Sequence, residues 1–446
     1  MNKFNRLTLA YAATLGLVFI WSIPGTIALR TLLLVAALTL AACCTTHKDW
    51  ATQRRWPLFP LLALALLTAW LFFQAVFVSA ETAWALGELR GQWLTALAAF
   101  GLGVLMSKLD KPQASGYSLW TGIALVLSVQ AAIAISQSVW HWFMHGRLLY
   151  GVVPLTGGRL EMSYIMNILL ALLTVDLFFR ATEHRALLRI PVSASLTCAA
   201  LGLTANFLAG SRNGILGTLF LALTMTCLFL IDGRRKLGNS KTILIATALA
   251  VGIGLFALAS YQADSRWKTF SETAEIAMDI DGNEAWFDPD NHPLPLLSNG
   301  EPVEESAYLR IAWLSAGIRL AKDIPYGVGY GRNAFVRVLL RQGYPAKIGH
   351  SHSGFIDLLS GAGIPAVALW LIFAAAMLVT GWRSFTRFRS PLGLLLILLV
   401  SGHTGRMLIE SVNRDHMLQI FFFLIGALLI ADASRTAAKA SSTEIS

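Results

Sequence analysis

Residues 57–78 read PLFPLLALALLTAWLFFQAVFV, without a single charge, directly behind Arg54 and Arg55. A helix needs about 20 mostly apolar residues to cross hydrocarbon, because every backbone N–H and C=O must find its partner inside the segment where water is absent. The stretch therefore reads as a transmembrane span with a basic flank. Working outward, similar apolar runs fall at 7–22, 25–44, 91–107, 118–139, 163–179, 190–209, 214–231, 242–260, 363–382, 391–404 and 416–431. The expected fold is an all-α integral membrane protein of about twelve transmembrane helices. Composition agrees: 56% of the 446 residues are apolar and 13% charged, where a soluble domain carries about 25% charged.

Charge placement sets the orientation. Lys3 and Arg6 precede the first run, and the basic connections are the even-numbered ones. Lys48, Arg54 and Arg55 follow the second run, Lys108 and Lys111 the fourth, Arg180, Arg185 and Arg189 the sixth. Arg234, Arg235, Lys236 and Lys241 follow the eighth, Arg383, Arg387 and Arg389 the tenth, Arg435 and Lys439 the last. These segments hold 19 Lys and Arg against 6 in the short loops of the other side: Arg90, Arg147, Arg159, Arg212, Arg406 and Arg414. The positive-inside rule then places both termini in the cytoplasm. Arg30 falls within the second run, where a lone charge is costly, so it is expected to be paired or functional.

The one long connection, 261–353, lies between the ninth and tenth runs on the outer side. It is expected to be a partly helical loop subdomain within a single polytopic domain, 1–446, and a long one-sided loop is a natural seat of function. Leu309, Ala312, Trp313, Ala316 and Leu320 recur at helical spacing, which predicts an amphipathic helix over 306–322, with a second over 332–341. Pro325, Gly327, Gly329 and Gly331 between them mark a turn whose backbone can approach a ligand closely.

The net charge of +10 is scattered between apolar runs, which excludes a nucleic-acid patch and favours lipid and phosphate partners. Cys43, Cys44, Cys198 and Cys227 lie in or beside apolar runs and imply no disulfide framework. Arg212 sits in the tight turn Gly210-Ser211-Arg212-Asn213-Gly214, where a guanidinium can fork onto phosphate oxygens. Arg310 on the amphipathic helix and Arg147 and Arg159 between the fifth and sixth runs are candidate companions. Arg319, Arg332, Arg337 and Arg341 read as a solvated or lipid-facing basic surface. His350 and His352 stand where the long loop re-enters the membrane, and a neutral imidazole there is a candidate general base. Zinc would need further ligands, and no cysteine lies on this face. Asp279, Asp281, Asp288 and Asp290 form two Asp-x-Asp pairs, but Glu284 occupies the sixth position where a calcium loop needs glycine, so they read as solvated turns. No phosphate-binding P-loop occurs, so ATP-driven transport is disfavoured and energy must come from an activated substrate or an ion gradient.

The run from His352 through Ser353, Gly354, Phe355 and Ile356 to Gly363-Ile364-Pro365 resembles a signature of the O-antigen ligase and polymerase superfamily. Arg310-Ile311-Ala312-Trp313 is similar to its Arg-x-x-Trp element, Pro325-Tyr326-Gly327-Val328-Gly329-Tyr330-Gly331 to its glycine-rich element, and Ser211-Arg212 to its other arginine motif. The sequence departs at Ser353, where asparagine is commoner, and at Gly361-Ala362, where a Glu-rich pair is frequent. The resemblance implies glycan transfer from undecaprenyl diphosphate to a sugar hydroxyl of lipid A-core at the periplasmic face of the bacterial inner membrane, without metal or nucleotide. By it, Arg212 and Arg310 hold the diphosphate with Arg147 or Arg159 assisting, and His352 deprotonates the acceptor in an inverting displacement. Within the superfamily a polymerase or a protein O-oligosaccharyltransferase is the alternative. Outside it, a lipid-linked sugar transporter would share the spans but should carry charges deep in several of them.

Overall fold

The computed structural model describes residues 3–46, 50, 57–110, 118–151, 153, 155–233, 238–263 and 268–443. Lys48, Arg54, Arg55, Lys111, Arg234, Arg235 and Lys236, on which part of the charge asymmetry rests, lie outside them. The described chain is all-α, with only an isolated bridge between Leu296 and Pro302. Its helices are α1 (Lys3–Ile20), α2 (Ile27–Cys44), α3 (Leu58–Phe73), α4 (Thr82–Leu109, with a π-helical stretch at Leu89–Leu94), α5 (Leu119–His145), α6 (Arg159–Glu183), α7 (Val192–Leu208), α8 (Arg212–Leu228) and α9 (Asn239–Ala263). The long connection carries α10 (Phe270–Met278), α11 (Glu305–Leu320) and α12 (Ala334–Arg341), followed by α13 (Gly354–Phe388), α14 (Pro391–Arg406) and α15 (Asp415–Thr443). Nine described helices are long and apolar enough to cross a membrane, and the shorter apolar helices Phe4–Ile20, Val192–Leu208 and Pro391–Arg406 occupy the other three expected positions.

Most of α15 from Met417 to Ile430 is buried, and it is the helix around which the bundle closes. Small residues let α4 approach it: a Cβ on Gly103 would lie 2.0 Å from the Phe423 carbonyl oxygen, and one on Gly426 2.4 Å from that of Phe100. Such close backbone approach is how helices associate where lipid and protein are equally apolar. Outward faces keep large apolar side chains exposed, Phe77, Leu58 and Leu244 among them. Buried carboxylates at the far end act as staples. Asp176 accepts from the Leu187 and Leu188 backbone N–H groups, the Ser195 hydroxyl and Arg180, all at 2.7–2.8 Å.

Arg30 is shallower than the sequence suggests. Helix α2 begins at Ile27, so Arg30 falls in its first turn and donates to the Trp21 carbonyl at 3.1 Å. The preceding residues 21–26 form a turn, which shortens the apolar run from its N-terminal side.

The long connection builds a second apolar core from Trp286, Phe287, Tyr308, Trp313 and Phe335, closed from below by Ile356 of α13. Helix α13 begins earlier than the apolar run predicts and kinks at Gly363, whose φ of 77° is left-handed. Pro365 has no N–H for the Gly361 carbonyl, which accepts instead from the Gly329 N–H at 2.8 Å. The Ser360 carbonyl likewise accepts from Val328 at 2.9 Å, and Ile364 N–H donates to Pro325 at 2.8 Å. The two glycine-rich motifs are thus one interlocked unit. A Cβ on Gly327 would lie 2.4 Å from the Gly361 oxygen. The close approach expected of this turn toward a ligand is therefore used, at Gly327 and Gly363, to dock backbone on backbone.

Candidate active site

Ser351-His352-Ser353 is a short link between the loop core and α13, and every residue of it is anchored. The Ser351 hydroxyl and N–H donate to one oxygen of Asp357 at 2.7 and 3.0 Å, and Ser353 caps α13 while donating to the Met407 carbonyl at 3.0 Å. The Gly354 N–H donates to the Glu410 carbonyl at 2.9 Å, tying the link to residues 407–414 between α14 and α15. Between these anchors His352 has a φ of 54°, a left-handed conformation that a non-glycine residue keeps only where surrounding contacts hold it. Its ring stacks on Trp313 of α11 at 5.4 Å between centroids and 8° between planes, and His350 lies 4.2 Å away.

The electrostatics keep both rings neutral. Burial, the neighbouring His350 and Arg310 push the His352 pKa down to about 3, Asp357 opposing them and Arg414 adding a smaller downward push. Burial, Arg414 and Arg310 hold His350 at about 4. A ring already neutral at pH 7 is free to accept a proton, although two nearby cations weaken it as a base.

One turn before Trp313 on α11, Arg310 lines an open recess of about 300 Å³ together with Arg159, Ser211, Arg212, Asn213 and Ser306. The N-termini of α6 and α8 both end here, at Arg159 and Arg212, and Ser211 caps α8. Helix N-termini and guanidinium groups favour anions for the same reason, concentrated N–H donors carrying positive charge. Arg212 has a carboxylate partner distant in the chain: Glu304 holds it at 3.0 Å while capping α11 through the Ala307 N–H. Arg159 is anchored to the Gly151 carbonyl.

The structure thus brings Arg159, Arg212 and Arg310 together on one recess, with Arg310 within electrostatic reach of His352. Arg147 stands apart, exposed, with its own carbonyl against His141 at 2.9 Å. Three loop arginines are paired: Arg319 with Asp281 at 2.8 Å, Arg332 with Glu88 and Asp415 at 3.1 and 3.5 Å, and Arg337 with Glu81. Arg341 is exposed. Asp281 is engaged by Arg319, Asp279 caps the Gly282 N–H, and Asp288 accepts from Asn291, so these carboxylates serve turns and ion pairs.

Sequence reasoning missed the contribution of 406–414. Glu410 is buried, accepts from Asn213 at 2.6 Å and lies 3.6 Å from Arg406, and desolvation raises its pKa despite that cation. Arg414 reaches the histidines electrostatically. The available signal was the polar string Glu410-Ser411-Val412-Asn413-Arg414 between two apolar runs.

Residues 197–371 match the family model described as O-antigen ligase, a segment that contains Arg212, Arg310, His352 and both interlocked motifs. The match supports placement in the O-antigen ligase and polymerase superfamily. No curated protein matches the chain.

Proposed function

Starting from that family match, we propose that the protein is a glycosyltransferase of the bacterial inner membrane, an O-antigen ligase that moves a glycan from undecaprenyl diphosphate to a sugar hydroxyl of lipid A-core. The site faces the periplasm and both termini the cytoplasm, in keeping with the distribution of basic residues. The observation that carries the reading is the convergence of Arg159, Arg212 and Arg310 on one recess, with Arg310 one turn of α11 from the Trp313 on which a neutral, rigidly held imidazole stacks.

The chemistry follows from what each group can do. The donor's anomeric carbon is already activated, so the protein must stabilise a diphosphate leaving group and remove one proton. Arg212 and Arg310, aided by Arg159 and the α6 and α8 N-termini, receive the charge that accumulates as the bond between the anomeric carbon and the phosphate oxygen breaks. The acceptor oxygen forms its bond to that carbon while its proton passes to His352. One displacement inverts the configuration. Arginines supply the positive charge, so neither metal nor nucleotide is required.

Donor binding also completes the base. Arg310 depresses the His352 pKa in the free protein, and a dianion against Arg310 offsets that effect. The imidazole therefore becomes more basic when its substrate arrives.

The deciding experiment reconstitutes the purified protein with undecaprenyl-diphosphate glycan and core-only lipopolysaccharide in the presence of a chelator. High-mass lipopolysaccharide, lost in Arg212→Ala and His352→Ala, is the expected product. Longer lipid-linked chains with untouched core would assign a polymerase, and glycosylated protein a protein O-oligosaccharyltransferase. Retained turnover in His352→Ala would remove the histidine as base and turn attention to Glu410. No covalent product from any donor would favour transport. Against transport stands the saturation of Asp176 by four partners, since a carboxylate used to carry an ion should not be fully engaged.

A further inference from the structure

The arginine recess and the histidine link are carried by different helices: α6 and α8 start at the recess, and α13 starts at the link. Residues 406–414 take no part in the mechanism above, yet they bind all three helix starts. Glu410 accepts at 2.6 Å from the side chain of Asn213, the second residue of α8 and part of the recess wall. The Glu410 backbone carbonyl accepts at 2.9 Å from the N–H of Gly354, two residues beyond His352. Arg406, 3.6 Å from the Glu410 carboxylate, donates to the Ser163 hydroxyl of α6 at 2.6 Å.

The backbones meet as closely as the side chains. A Cβ on Gly214 of α8 would lie 2.5 Å from that of Ser163, and one on Gly354 2.9 Å from the Asn413 amide oxygen. Asn413 donates to the Gly354 carbonyl at 2.9 Å, and the Met407 carbonyl accepts from the Ser353 hydroxyl and the Phe355 N–H at 3.0 and 3.2 Å. Glu410, Arg406, Asn213 and Ser163 are all buried. A buried ion pair adds little net stability, because desolvation offsets most of its attraction. What this one supplies is a fixed distance between the two halves of the site. Helix α11 joins the halves on one side, through Arg310 and Trp313, and residues 406–414 join them on the other.

We propose that Glu410 is a positioning residue for the transfer step: it sets the arginine recess against the histidine link, through Asn213 on one side and its own backbone carbonyl on the other, and carries no proton itself. The inference rests on the transferase reading above and extends it, since in-line displacement needs donor and base in fixed register.

Two double variants isolate the bond to Asn213. Arg406→Met/Glu410→Gln removes both charges and keeps an acceptor, whereas Arg406→Met/Glu410→Met removes the charges and the acceptor at similar volume. Full-length protein in lipid nanodiscs is assayed for transfer to core-only lipopolysaccharide, and amide exchange of residues 209–216 and 351–357 is followed by mass spectrometry. The Gln variant is expected within about threefold of the wild-type kcat and the Met variant about 10-fold below it. Donor KM stays within about threefold in both, because Glu304 and the Gly151 carbonyl still hold Arg212 and Arg159. Exchange in both segments is expected to quicken about 3- to 10-fold in the Met variant alone. Equal kcat in the two variants overturns the proposal, an equal fall in both pointing to the charge of Glu410 instead of its hydrogen bond. Unchanged exchange overturns it as well. Should either double variant fail to fold, Asn213→Ala opens the same bond and leaves the ion pair in place; the same 10-fold fall is expected there, and unchanged kcat overturns the proposal. Exchange that responds as described, with no transfer even by the wild type, would uphold the coupling of the two halves and refute the transferase reading alone.

Discussion

Lowering the pH from 7.5 to 5.0 separates the environment built around His352 from that of a free imidazole. At the ordinary pKa of about 6.5 the ring would be roughly 3% neutral at pH 5.0, a loss of about 30-fold in any rate that needs a neutral base. With its pKa pushed down to about 3 by burial, His350, Arg310 and Arg414, the ring stays neutral across that interval. The expected result is a kcat/KM for donor that changes less than about twofold, because this parameter reports the free enzyme. A diphosphate substituted at both ends keeps its two charges over the same range and adds no limb of its own. In the bound state that dianion offsets Arg310, so the acid limb of kcat is expected at higher pH than that of kcat/KM. Initial rates with saturating core-only lipopolysaccharide, followed on gels in nanodiscs, give both profiles. A kcat/KM that falls through a midpoint near 6.5 would refute the reasoning. The linkage has a sign for stability too: the unfolded chain takes up the His352 proton near pH 6.5 and the folded one only near 3, so this site weakens folding as the pH falls below about 6.5.

Other outcomes follow from the same geometry. Arg212→Lys keeps a charge but loses the fork, and its donor kcat/KM is expected to drop about 10- to 100-fold in the same assay. Glu304→Gln leaves Arg212 less firmly placed, and a rise of about 3- to 10-fold in donor KM with little change in acceptor KM is expected. Trp313→Leu removes the face on which His352 stacks, and should lower kcat by about 10-fold while undecaprenyl diphosphate still binds, measured by calorimetry. Gly363→Ala puts a Cβ 2.4 Å from the Pro325 carbonyl at a left-handed φ of 77°, and a loss of about 2–4 kcal/mol in stability, read as thermal aggregation in detergent, is expected. Unchanged melting of that variant would mean the interlocked motifs contribute little to the fold.

Apolar run length alone was enough to locate the helices. Twenty or so uncharged residues have essentially one way to satisfy their backbone in lipid, so all twelve predicted runs are helical in the structure. The candidates Arg212, Arg310 and His352 also stood out, because unusual residue types at helix junctions contrast with an apolar background. The sequence could not say which cations converge. Arg147 and Arg159 are equivalent on the page, yet only Arg159 begins a helix that ends at the recess, whereas Arg147 lies exposed. Partner choice was equally hidden: Glu304 meets Arg212, and Glu410 meets Asn213, across separations that only the fold closes. The glycine motifs gave a turn but not its use, since the Gly361 carbonyl freed by Pro365 finds its donor in a different segment. Hydrophobic periodicity is a local property that sequence carries directly; the direction of a buried side chain, and the pKa it acquires, depend on every neighbour that packing brings near.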